Sequence, residues 1–160
     1  MSSINSKLLE FFTHIPKLDI DGSNWVIFKD RFLFAAAAAG LKEHVKDDGK
    51  PPSAEPPIAH RPGQTLTDEQ KEALREYQES VIRWEMEESI VKQALASVIP
   101  DSLFIEVRKQ ETVLEMWNAV KNQREKKSRM VTVDMRRKLQ SEKCGEHDDV
   151  RTHLVKLQTM

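Results

Sequence analysis

At 160 residues, with 39% hydrophobic and 32% charged side chains and a net charge of −1, the chain has a globular profile, long enough for one good core and part of another. No run approaches the roughly 18 apolar residues of a membrane span, and residues 1 to 15 lack the pattern of a secretory signal, so no membrane partner is expected. The single cysteine, Cys144, excludes an internal disulfide framework and sets the expectation of a reduced, cytoplasmic protein.

Ile4, Leu8, Phe12 and Ile15 recur on one helical face, which predicts a first helix over 6–14, stopped by Pro16. Residues 16–22, PKLDIDG, read as extended chain ending in a turn, with Ser23 as the cap of the next helix. From 24 to 39, Trp25, Phe28, Phe32, Ala36 and Ala39 return at helical spacing, and Leu33 and Phe34 widen the apolar sector, as in a central helix. Gly40 fits the left-handed position just past its end, and Leu41 is the apolar residue that packs back under such a cap.

Residues 47–66 hold five prolines and no periodic pattern, so they form a loop, longer than most in compact domains. Its Pro-Pro pairs favour polyproline-like geometry. Thr67-x-x-Gln70 then has the form of a capping box. Leu74, Tyr77, Val81, Trp84, Val91, Leu95 and Val98 follow a 3,4 alternation, interrupted because Glu88 takes the apolar slot between Trp84 and Val91. The interruption predicts a bend or break near Glu87, giving one kinked helix or two, ended before Pro100.

Asp101 is placed to cap a short helix bearing Leu103, Phe104 and Val107, and Thr112-x-x-Glu115 is a second capping box, for a helix with Leu114, Trp117 and Val120. Ser128 is expected to cap a separate helix, with Val131, Met135 and Leu139 on one line and Gly145 beyond its end. A last helix, expected from Asp148 and Asp149, carries Val150, Leu154 and Leu157 and reaches Met160 with no terminator, so the fold is expected to continue. Nothing reads as a paired sheet: the class is all-α.

The order of anchors carries a resemblance. LDIDGSNWVIFKDRFLFAAAAAGL, the helix around Trp84, TVLEMWNAVKNQREKKSRM and MRRKLQSEKCGEHDDVRTHLVKLQTM together are similar to the Gag polyprotein, capsid region, of copia-type LTR retrotransposons. The most specific parts are Leu18 with Asp21-Gly22-Ser23-Asn24-Trp25, then Thr112, Glu115, Trp117, Ser128, Leu139, Val150 and His153; Phe28 stands where the family often has tryptophan. The resemblance implies a helical capsid N-terminal-like domain over 1–127, with 47–66 as its Pro-rich loop, and the start of a capsid C-terminal-like domain over 128–160. It also implies self-association into RNA-containing particles.

The sharp readings compete with plainer ones. Trp25, Trp84 and Trp117 sit on apolar helical lines and, with Phe28, Phe32, Leu139 and Leu154, read as core anchors rather than as a peptide groove. Lys126, Lys127, Arg129, Arg136, Arg137 and Lys138 are candidates for non-specific RNA phosphate contacts, against the alternative of a solvated face. Residues 67–89 are acidic, which leaves open a salt-bridged pair of faces or two separate partner surfaces. Cys144, His147 and His153 fall short of a four-ligand zinc site, so no metal or cofactor is expected.

Glu87 and Glu88 are neighbours on a helix and diverge by about 100°, which does not make a facing acid and base. No phosphate loop, nucleophile elbow or other catalytic constellation is present, so no enzyme is expected. The rival functions are a host-adapted helical adaptor, for which the Pro-rich loop is the natural handle, and an RNA-binding module that does not assemble.

Overall fold

The structure is a computed structural model that describes residues 2–59, 63, 65–141 and 150–159. Among the described residues six α-helices follow one another: α1 Ser2–Glu10, α2 Trp25–Ala38, α3 Asp68–Val98, α4 Asp101–Val107, α5 Val113–Ser141 and α6 Val150–Gln158, with a 3-10 turn at Lys42–Val45 after α2. No strand occurs among the described residues, and the protein is all-α. No described helix is long and apolar enough to cross a membrane. The chain divides into two compact units, 1–120 and 121–160.

The first unit is built around α2. Trp25, Phe28, Phe32, Ala35 and Ala36 make its buried side. Phe32 is fully buried, with its ring centre 5.0 Å from Trp117 of α5 and 5.5 Å from Phe12; Trp25 lies 5.9 Å from Trp117. Such tilted and stacked aromatic pairs add to the area they bury. Ile90, Val91, Ala94, Leu95 and Val98 of α3, Leu103 and Val107 of α4, and Val113, Met116 and Val120 of α5 close this core.

Local chemistry sets the ends of α2. Gly22, at φ +78°, turns the chain into it. Asn24, not Ser23, is the N-cap residue, and its side chain makes no cap bond to the helix. It reaches backwards instead, accepting the Asp19 N–H at 2.9 Å and donating to the Lys17 carbonyl at 2.9 Å, while Ser23 Oγ bonds Asp19 Oδ2. Asn24 thus clips the extended segment 17–19, whose Leu18 N–H is held by the Val98 carbonyl at 2.7 Å. At the other end the Leu41 N–H bonds the Ala36 carbonyl and the Gly40 N–H that of Ala37, with Gly40 at φ +74° and Leu41 buried, a complete Schellman motif.

Other boundaries depart from the sequence reading. α1 ends at Glu10 rather than running on toward Pro16: the Phe12, Thr13 and Ile15 N–H groups bond the carbonyls three residues back, and these tighter turns carry buried Phe12 and Ile15 inward. α3 is one helix of 31 residues, opened by the reciprocal Thr67/Gln70 capping box. In α4 the N-cap is Pro100 and Asp101 is the first helical residue. The largest correction concerns α5: helix runs unbroken through position 128, so the separate helix expected from Ser128 does not exist. A Ser/Thr cap signal is weak when the residues on both sides already propagate a helix, and residues 121–141 contain no glycine or proline to stop it. The expected signals at Gly145, Asp148 and Asp149, and the residues Cys144 and His147, lie outside the described residues.

Candidate nucleic-acid and self-association surfaces

Among the described residues of the first unit, His44 is the buried titratable side chain. His44, in the 3-10 turn, is 2% exposed. Its Nδ1 lies 2.7 Å from Glu88 Oε2 and its Nε2 3.2 Å from Glu87 Oε2, and its ring centre is 3.9 Å from that of Trp84. The other Glu88 oxygen, Oε1, accepts the Val113 N–H that opens α5. Lys92 Nζ, one turn along α3, donates to the Gln110 and Glu111 carbonyls at 3.0 and 2.9 Å.

Two adjacent glutamates converge because the imidazole sits between their diverging side chains, one carboxylate at each ring nitrogen. Burial disfavours the imidazolium, but the bonds and charges of Glu88 and Glu87 outweigh that and raise the His44 pKa. Burial likewise pushes Glu88 up, yet His44, the Val113 N–H and Lys92 together hold it below the usual carboxylate range. Both ring nitrogens are occupied, so this centre fastens the 3-10 turn, α3 and the start of α5 rather than presenting a reactive group. It explains the polar residue in the apolar pattern: Glu88 points inward because its partners are inside.

Of the aromatic residues expected as anchors, Trp25, Phe28, Phe32 and Trp117 are buried in the first unit, whereas Trp84 is half-buried and packs its ring, tilted by 32°, against His44 outside the main aromatic cluster. The anchoring roles expected of Leu139 and Leu154 are corrected: they are 48% and 54% exposed. In the second unit the described residues supply two helical segments, which leaves each apolar line with one side uncovered.

Lys126, Lys127, Arg129, Arg136, Arg137 and Lys138 all lie on α5, and all are exposed. At roughly 100° per residue they stack in three rows, Lys126 with Arg137, Lys127 with Lys138 and Arg129 with Arg136, which surround the helix except along the line of Val131, Met135 and Leu139. That line borders a cleft of about 440 Å³ lined by Val131, Asp134, Met135, Lys138, Leu139 and Leu157. Met130, Val133, Val150 and Val155 are also exposed.

Charge follows the division into units. Bases outnumber acids by five in residues 121–160, and acids outnumber bases by six in residues 1–120. Within the acidic 67–89 segment, Asp68 and Glu72 pair with Lys71 and Arg75 of the same helix. Residues 121–160 contain no aromatic side chain, so the basic helix has no platform on which bases stack. Among the described residues no cluster of three metal-ligating side chains occurs, and the side chain of His153 is not described.

No curated protein and no solved structure matches the chain. The gag-polypeptide of LTR copia-type matches it over residues 33–160, from the middle of α2 through the basic helix to the end. That span takes in most of the first unit, including Trp84 and Trp117 but not Phe12, Trp25, Phe28 or Phe32, and all of the second, and the chain belongs to the copia-type LTR gag-polypeptide family, whose members have a structural role.

Proposed function

We propose that this chain is a Gag-like structural protein that self-associates into capsid-like particles around RNA in the cytoplasm, acting by assembly and not by catalysis. The observation that carries the reading is the second unit's surface. Met130, Val131, Val133, Met135, Leu139, Val150, Leu154 and Val155 are each about half exposed or more, on two short helical stretches. A soluble monomer rarely carries so dense an apolar surface, and such patches mark association sites. Each contact is modest, but repetition around a closed shell multiplies weak contacts into a stable particle.

In this reading residues 1–127 correspond to a capsid N-terminal-like domain and 128–160 to the opening of a C-terminal-like one. On α5, Lys126, Lys127, Arg129, Arg136, Arg137 and Lys138 contact RNA phosphates without reading sequence, since phosphate contacts carry no base information. Static light scattering and negative-stain microscopy across protein concentration, with and without RNA, test the proposal. Large species and closed shells are expected. A chain that stays monomeric at high concentration across salt and pH overturns it in favour of an adaptor.

A further inference from the structure

Helix α2 is apolar on both sides, which is the pattern of a helix buried all round. Its inward side is the core of the first unit. Its outward side is bare: Val26, Ile27 and Phe34 are 64%, 57% and 73% exposed, and Ala37 and Ala38 are exposed beside them. Phe34 is the most exposed aromatic ring in a protein that buries Phe28 and Phe32 completely.

Two charges, Asp30 and Arg31, stand in the middle of this face, both exposed. Neither has a hydrogen-bond or ion-pair partner among the described residues. Their order makes the strip self-complementary. About a two-fold axis passing between positions 30 and 31, Ile27 exchanges places with Phe34, and Asp30 with Arg31. An antiparallel neighbour therefore sets each Phe34 over an Ile27 and each Asp30 against an Arg31, which is the reciprocal pattern of an isologous contact. The small residues Ala37 and Ala38 keep the end of the strip low enough for close approach.

We propose that the outward face of α2 is a docking surface for the same face of a second copy, paired antiparallel through Ile27, Asp30, Arg31 and Phe34. This rests on the self-association reading and names one of its contacts. The patch is small: interfaces that hold alone bury upward of roughly 1,000 Å², so the α2 pair is weak in isolation and acts as one of several repeated contacts.

Charge exchange tests it on the full chain by sedimentation equilibrium, with circular dichroism as the check on folding, since both residues are exposed. Asp30→Arg alone and Arg31→Asp alone each set like charges against each other and are expected to weaken dimerisation about tenfold. The double variant Asp30→Arg/Arg31→Asp restores dimerisation, and so does mixing the two single variants in equal amounts. Phe34→Ser weakens dimerisation in every background. If the single variants dimerise as well as the original chain, the α2 pair is overturned, while particles still seen by microscopy leave the assembly reading intact. Loss in both single variants with no recovery in the double variant or the mixture also overturns it, because the face then serves a different partner. A chain that neither dimerises nor forms particles overturns both.

Discussion

Glu88 accepts from His44 Nδ1 at 2.7 Å through one oxygen and takes the first amide of α5, that of Val113, through the other. One carboxylate thereby joins segments 44 residues before it and 25 residues after it. Its helical slot nonetheless calls for an apolar residue. Glu88→Leu satisfies the pattern but leaves the buried Nδ1 of His44 and the Val113 amide without their partner, while Glu87 still holds Nε2, at a cost of about 2 kcal/mol. Urea denaturation measures it, and a variant as stable as the original would show the centre to be dispensable.

The same centre fixes a pH window. His44 has a raised pKa, so its contribution is complete below about pH 6.5, its ordinary value, and is lost as pH rises through the higher folded value. Glu88 has a lowered pKa; its contribution is complete above about pH 4.5 and is lost as pH falls through the depressed folded value. Urea midpoints measured across pH are expected to form a plateau between these limbs. In His44→Gln the alkaline limb flattens, and an unchanged limb would assign it to other groups.

Trp117 stands at the centre of the first unit, 3% exposed, with its ring against Phe32 and Trp25. Trp117→Ala should cost about 3–5 kcal/mol in chemical denaturation, since the void has rigid aromatic walls. A thermal shift near zero would contradict its place in the core.

Replacing Lys126, Lys127 and Arg129 by Ala is predicted to reduce the salt dependence of RNA binding. For single strands each lost phosphate contact lowers the slope of log affinity against log salt by about 0.7, so the triple variant should fall by about 2. The side chains are exposed, so folding is unaffected. RNA affinity that ignores salt, or an unchanged slope, removes these residues from the RNA surface.

Local signals are readable in the sequence because their partners are a few residues away. The Thr67/Gln70 and Thr112/Glu115 boxes and the Gly40 cap close within one turn, and the structure forms all three. The buried line of α2 is equally plain from Trp25, Phe28 and Phe32. Glu88 is not, because neither His44 nor Val113 is near it in the chain, and a polar residue in an apolar slot looks the same whether it breaks a helix or bridges across it. Ser23 and Asn24 are hard to tell apart for a related reason: both are good cap residues, and only the position of Lys17 and Asp19 shows that Asn24 bonds backwards. On the basic helix, the spacing of Val131, Met135 and Leu139 shows an apolar line but not whether anything covers it.

The Pro-rich loop is tied to helices at its near end, by Asn118 Nδ2 to Asp47 Oδ1 at 3.2 Å and by the Tyr77 hydroxyl to the Ser53 carbonyl at 2.8 Å. Past Ser53 its length is thermodynamically cheap, since doubling a flexible loop costs only about 0.6 kcal/mol. Residues 55–57, all exposed, are therefore an insertion port: a peptide tag or small reporter placed there leaves both ties and the aromatic core untouched, and gives a label on every subunit of an assembly.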